Sequence, residues 1–90
     1  VDVSATWCGP CQKLAAAFRD PQVAAAVQRG FVAVNIDADA DAATARRYKV
    51  NGLPTLLVLS ADGTELARAS GGRSPAELLA WLGQHAGKPA

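Results

Sequence analysis

Val1-Asp2-Val3-Ser4-Ala5, followed by Thr6-Trp7-Cys8-Gly9-Pro10-Cys11, is the stretch on which the reading of this chain turns. The first five residues are short and partly β-branched, which suits a strand. The next six open a helix. Pro10 falls in the first turn, where its missing N–H has no partner to lose. Beyond it, Cys11, Leu14, Ala15 and Phe18 recur at i, i+3, i+4 and i+7, the stripe of an amphipathic helix. Asp20-Pro21 resets the chain as cap and first helical residue. A second helix then runs through Arg29 with Val23, Ala26 and Val27 inward, and Gly30 ends it.

Working outward, Phe31-Val32-Ala33-Val34-Asn35-Ile36 reads as a strand, nearly continuous in its apolar character, the pattern of a strand covered on both faces. Asp37 to Asp41 is a polar loop and cap, and an alanine- and arginine-rich helix follows to about Lys49. Val50-Asn51-Gly52-Leu53-Pro54 is a turn, and Thr55 to Ser60 a buried strand. Asp62-Gly63 is a hairpin signal that returns the chain into Glu65–Ala69, and Gly71-Gly72 breaks that strand. Ser74-Pro75-Ala76-Glu77 forms a capping box opening a helix with Leu78, Trp81 and Leu82 inward. The tail, residues 84–90, is expected to fray.

The order is therefore β-α-α-β-α-β-β-α. A strand-helix-strand unit must be parallel and right-handed, and a tight hairpin must be antiparallel. The prediction is an α/β protein: a mixed four-stranded sheet, βαβ plus ββα, flanked by helices in a single domain over residues 1–90. Half of the ninety residues are hydrophobic, but 20 of those 45 are alanine, so the core should be small, with little room for an internal ligand cavity. Nine basic and eight acidic side chains leave a net charge of +1 and no electrostatic footprint for nucleic acid or an anionic membrane. No apolar run approaches the ~18–20 residues of a membrane span. Val1-Asp2-Val3 reads as a strand already under way and the chain contains no methionine, which predicts an upstream element outside these residues.

The two cysteines carry the chemistry. Cys8 sits where the unpaired N–H groups and dipole of a helix start favour an anion, which should stabilise its thiolate. Cys11, on the apolar stripe with Leu14 and Phe18, should be shielded. One exposed attacking thiol and one shielded resolving thiol suit a two-step thiol–disulfide exchange. Zinc would want four ligands, and no second cysteine pair exists, with His85 alone near the far end. A structural staple is the other alternative, although so short a ring removes little chain entropy.

Trp7-Cys8-Gly9-Pro10-Cys11 after a strand, with Gly52-Leu53-Pro54-Thr55 about forty residues on, closely resembles the thioredoxin family. Val34-Asn35-Ile36-Asp37 and the Asp62-Gly63 hairpin extend the resemblance over residues 1 to about 83. It implies a thioredoxin fold lacking the first strand and helix of a full thioredoxin. It also implies that Cys8 is the attacking thiolate, Cys11 the resolving thiol, and Asp2 the buried acid that assists proton removal from Cys11. Pro54 resembles the family's cis-proline, which would leave the backbone of Leu53 free to pair with an extended substrate. Trp7, Gly9, Pro10, Gly71 and Gly72 match positions bordering the substrate groove. There are departures. Ser4 replaces an aromatic, Ala33 stands where a lysine neighbours the buried acid, and Asp20-Pro21-Gln22-Val23 is more similar to the C-terminal domain of the bacterial membrane thiol–disulfide interchange protein.

The resemblance implies a protein-disulfide reductase acting in electron transport and cell redox homeostasis, the Gly-Pro between the cysteines being that of the reducing members. An oxidase or isomerase, or a binding module with non-catalytic cysteines, are the alternatives. The expected partners are disulfide-containing protein substrates and a protein electron donor, a thioredoxin reductase or a membrane thiol transporter. No metal or organic cofactor is implied, the expected state is a monomer, and a bacterial-type setting slightly favours the periplasm over the cytoplasm. Asp37, Asp39 and Asp41 do not make a calcium loop, because Ala42 and Tyr48 stand where its glycine and glutamate belong. Asp39 or Asp41 reads instead as a helix cap, Arg46-Arg47 with Lys49 as a solvated face, Trp81 as core and His85 as exposed.

Overall fold

A strand of three residues, β1 (Asp2–Ser4), organises the sheet. It pairs in parallel with β2 (Asn35–Asp37), Val3 standing opposite Ile36. On its other side it pairs antiparallel with β3 (Thr55–Leu59), Asp2 opposite Leu56. The hairpin through Gly63, at φ 90°, returns β3 into β4 (Glu65–Ser70), with a register shift between Val58 and Leu59. The sheet is mixed and four-stranded, as the alternation of elements predicts, and its strand order is β2-β1-β3-β4. This computed structural model describes residues 1–85.

The helices begin where the sequence places their caps. The Sγ of Cys8 accepts the N–H of Cys11 at the start of α1 (Gly9–Phe18). Asp20 Oδ1 accepts from Gln22 and Val23 at the start of α2 (Pro21–Gly30), and Asp41 Oδ1 accepts from Thr44 in α3 (Ala42–Arg47). The predicted box forms reciprocally at α4 (Pro75–His85): Glu77 N–H donates to Ser74 Oγ at 3.2 Å and Ser74 N–H to Glu77 Oε1 at 3.0 Å. Helix α4 runs to His85, so Gln84 and His85 are helical, not frayed; the rest of the predicted tail, residues 86–90, lies outside the described residues.

The core joins Leu14 and Ala17 of α1, Val23 of α2, Leu56 of β3 and Leu78 and Leu82 of α4. Burying a side chain such as Leu14 or Leu78 contributes roughly 1.5–3 kcal/mol. Phe18, Val27, Phe31, Leu79 and Trp81 are half-buried against this cluster. On α1 the stripe is shifted from the prediction: Ala17 is buried and Ala15 exposed. His85 is half-buried, its ring edge-on to Trp81 at 5.0 Å. Helix α3 stops at Arg47, two residues short of expectation, and Lys49 turns the chain at φ 57°.

The strand predicted over residues 31–36 needs the largest correction. Only Asn35–Asp37 pair, and Val32 is 90 % exposed. Asp2 N–H donates to Val34 O at 2.8 Å, and that bond ends the ladder. Phe31 to Ala33 lie past the end of β1, and β2 is an edge of the sheet, so they have no strand to bond among the described residues; Phe31 packs against the core, while Val32 and Ala33 are exposed.

Candidate active site

Three chain segments meet at the C-terminal end of β1. The first is the turn into α1. Cys8 N–H donates to Ala5 O at 3.3 Å, Gln12 Nε2 donates to Thr6 O at 3.2 Å, and together these hold Thr6 and Trp7 in an exposed loop. Cys8 and Cys11 are joined in a disulfide with Cα atoms 5.1 Å apart. Because Cys8 caps the helix, the N–H of Cys11 points at its sulfur at 3.2 Å, a donor already in place for a thiolate once the disulfide opens. Around them Ala5 and Leu53 complete a small apolar cluster, separate from the main core.

The second segment is the approach to β3. The Leu53–Pro54 peptide is cis, Pro54 is fully buried, and Thr55 Oγ1 closes the turn by donating to Gly52 O at 2.7 Å. The carbonyl oxygen of Leu53 lies 3.7 Å from Cys8 Sγ. The third segment follows β4. Gly71, at φ 91°, donates its N–H to Pro54 O at 3.0 Å, and Gly72 packs on Pro10 so closely that a Cβ there would stand 3.1 Å from the Pro10 carbonyl oxygen. The structure thus brings Trp7, Cys8, Gly9, Pro10, Cys11, Leu53, Pro54, Gly71 and Gly72 into one neighbourhood.

Access to the two sulfurs differs from expectation. Cys8 is as buried as Cys11, at 5 % exposure each, because Leu53 and the loop through Ala5 close over it. The asymmetry survives in a different form. A cleft of about 330 Å³ is lined by Trp7, Cys8, Ala38, Ala45, Val50, Asn51, Gly52 and Leu53, and of the two cysteines only Cys8 borders it.

Asp2 is half-buried on β1 and makes no hydrogen bond to either sulfur. Its Oδ1 is buried without a partner among the described residues, while Oδ2 accepts from Asn35 Nδ2 at 3.3 Å, an amide that also donates to Ser4 Oγ at 3.3 Å. Burial pushes the Asp2 carboxyl above its ordinary range, outweighing the opposing hydrogen bond from Asn35.

Two contacts were not legible in the sequence. Asn35 reaches Asp2 from the neighbouring strand, and Trp7 Nε1 donates to Asp39 Oδ2 at 2.7 Å across 32 residues. Asp41 is the α3 cap, and Asp39 is not. No group of three or more metal-ligating side chains occurs among the described residues. No helix among them is long and apolar enough to cross a membrane.

Comparison with known proteins agrees with this geometry. The Thioredoxin family profile matches residues 1–84. A thioredoxin of Mycolicibacterium smegmatis is 37 % identical over 79 residues, spanning 88 % of this chain and 70 % of the relative. A thioredoxin-like protein of Synechocystis is 39 % identical over 82 residues, spanning 91 % of this chain and 75 % of the relative. Among solved structures, chloroplastic thioredoxin z superposes with a TM-score of 0.73 at 33 % identity, over 92 % of this chain and 73 % of that one. With its paired cysteines at a helix start beside a cis-proline, the chain belongs to the thioredoxin family of thiol–disulfide oxidoreductases.

Proposed function

We propose that this chain is a single thioredoxin-like domain, monomeric in action, that reduces disulfides in partner proteins through Cys8 and Cys11. The observation that carries the assignment of roles is that Cys8 caps α1 and borders the cleft while Cys11 does neither. In the reduced protein the Cys8 thiolate attacks one sulfur of a substrate disulfide. A bond forms between Cys8 Sγ and that sulfur, and the other substrate sulfur leaves as a thiolate. Cys11, its proton taken by Asp2 directly or through a water, then attacks Cys8 Sγ. The mixed disulfide breaks, the second substrate sulfur leaves, and the Cys8–Cys11 disulfide remains. Two electrons have passed to the substrate, and a dithiol protein, a reductase or a membrane thiol transporter, must return them.

Leu53 supports the same reading. Its N–H makes no hydrogen bond among the described residues and its carbonyl oxygen lies 3.7 Å from Cys8 Sγ, so an extended substrate segment can pair there as an added strand. Trp7, Gly9, Pro10, Gly71 and Gly72 form the borders of that seat.

The test is turnover on insulin disulfides with dithiothreitol as electron donor. Cys8→Ser should abolish it, and Cys11→Ser should accumulate a mixed disulfide with the substrate. Turnover surviving Cys8→Ser would show the assignment to be wrong. The direction of flow is read from the reduction potential. A value more negative than the roughly −220 to −260 mV of the glutathione pool supports a reductase, and a value well above it an oxidase or isomerase.

A further inference from the structure

We propose that Asn51–Gly52 is a site of spontaneous covalent modification in the cleft beside Cys8: the Gly52 nitrogen closes on the Asn51 side chain and converts Asn51 into aspartate and isoaspartate, and the isoaspartate form is a poor disulfide reductase. The effect on turnover rests on the reductase reading of the chain; the modification itself does not.

The chemistry needs only the dipeptide and water. The Gly52 amide nitrogen gives its proton to solvent and attacks Asn51 Cγ. An N–Cγ bond forms, the Cγ–Nδ2 bond breaks, and the amide nitrogen leaves as ammonia with a proton taken from water. Water then opens the cyclic imide. Cleavage of the new N–Cγ bond gives aspartate. Cleavage of the original peptide bond gives isoaspartate, in which the main chain runs through Cγ. No electrons are exchanged.

The structure leaves every participant free. Asn51 and Gly52 are exposed, and neither the Asn51 side chain nor the Gly52 N–H makes a hydrogen bond among the described residues. A Cβ on Gly52 would meet nothing within 4 Å, so the attacking nitrogen is unshielded on its own residue and from its surroundings. The loop is pinned on either side of the pair, Val50 N–H on Ala45 O at 3.0 Å and Thr55 Oγ1 on Gly52 O at 2.7 Å, which holds the dipeptide out in solvent. The other candidates are blocked. Asn35 lies in β2 before the branched Ile36, and its amide is spent on Asp2 and Ser4. In Asp62–Gly63 the Gly63 N–H is held by Ser60 O at 2.9 Å. Ser60 Oγ and Thr64 N–H donate to the Asp62 carboxylate and bring its pKa down to about 2, so it stays an anion, a poor target for a nucleophile.

Asn51 lines the cleft that Cys8 borders. Aspartate there sets a negative charge where Cys8 must become a thiolate, and like charges oppose each other. Isoaspartate does more, because it adds an atom to the main chain between the two pinned points. Gly52 and Leu53 must shift to absorb it, and with them the backbone seat for an extended substrate, whose carbonyl oxygen now lies 3.7 Å from Cys8 Sγ.

The experiment incubates the intact protein at neutral pH, maps its peptides by mass, and labels isoaspartate with an isoaspartyl methyltransferase. Asn51 should gain the mass of one water less one ammonia and acquire the label, while Asn35 and Asp62 stay unchanged. Insulin turnover should fall in step with the isoaspartate fraction, and that form, separated by ion exchange, should be slower by about tenfold or more, the scale of a displaced substrate seat. Asn51→Asp, which adds the charge without the extra atom, should fall between it and wild type. Gly52→Ala and Asn51→Gln should each stop the change and hold their own starting turnover over the same interval. An intact Asn51 under conditions that convert a peptide of residues 48–54, or conversion of Asn35 or Asp62 to the same extent, would overturn the site. Full turnover in the isolated isoaspartate form would overturn its effect. A wild-type protein that modifies Asn51 but never reduces insulin sinks the reductase reading and leaves the modification standing.

Discussion

Gly72 lies against Pro10 with no space for a side chain: a Cβ would meet the Pro10 carbonyl oxygen at 3.1 Å, Lys13 Cδ at 3.2 Å and Pro10 Cα at 3.5 Å. Lys13 can swing away, but the Pro10 backbone belongs to the first turn of α1 and cannot move without carrying the cysteine loop. Gly72→Ala should therefore cost about 1 kcal/mol of stability, at the lower end of overpacking penalties, and slow insulin reduction several-fold. Gly71→Ala makes the useful contrast. Its cost, also about 1 kcal/mol or more, comes from forcing a side chain to φ 91°, and a Cβ there meets nothing within 4 Å. Denaturant unfolding should show both losses, whereas only Gly72→Ala should lower turnover measured at a temperature where both proteins remain folded.

Asp2 predicts an opposite sign for stability and for activity. Burial raises its carboxyl pKa in the folded chain, so the folded state holds a proton that the unfolded state has already released. Stability from this group is thus fully present below the ordinary value of 3.8 and is lost as pH rises through the higher folded pKa. Asp2→Asn removes that loss. The variant should be more stable than wild type at pH 7 and equal to it at pH 3, by denaturant unfolding across that range. If Asp2 serves the second step, the same variant should release substrate from the mixed disulfide more slowly, most visibly near neutral pH. A variant no more stable at pH 7 would contradict the burial argument.

The Ser74–Glu77 box can be tested by itself. Ser74→Ala removes the acceptor for Glu77 N–H and should cost about 1 kcal/mol. Glu77→Ala removes the return bond to Ser74 N–H and the carboxylate from the first turn of α4, with a smaller loss. The double variant should lose less than the sum, since the two bonds share one turn. Strict additivity in thermal unfolding would mean that the two bonds form independently.

Much of this architecture is written in short-range signals. Asp20-Pro21 and Ser74-Pro75-Ala76-Glu77 mark helix starts because a cap and a proline satisfy or remove orphan N–H groups within four residues, and both are found where the sequence puts them. The cysteine pair is legible for the same reason: its spacing alone places both sulfurs on one helical turn. Residues 31–34 show where such signals stop. Their apolar run describes what the residues would bury, whereas strand formation depends on what lies beside them, and β1 ends its ladder at Val34. Exposure at Cys8 and the pairing of Trp7 with Asp39 depend likewise on loops brought together from distant sequence, as does the contact of Asn35 with Asp2. No periodicity or cap encodes them.

Arg68 on β4 supports the approach to Pro54 from outside the cleft. Its guanidinium donates to Lys49 O at 3.2 Å and to Tyr48 O, and pairs with Glu65 at 2.8 Å. Tyr48 and Lys49 end α3 with carbonyls that no helical N–H can take, so Arg68 supplies the missing donors where the chain turns through Lys49 toward Gly52 and Leu53. The ion pair is exposed and should contribute little, whereas the two carbonyl bonds should carry about 1 kcal/mol together. Arg68→Ala should therefore destabilise the protein by about 1–1.5 kcal/mol, and Glu65→Gln by much less. Amide hydrogen exchange gives the sharper test. Arg68→Ala should speed exchange in residues 48–53 beyond what the global loss explains, while the amides of α4 follow the global loss alone. Uniform acceleration through the whole chain would mean that Arg68 stabilises the sheet and not the turn that leads to the cis-proline.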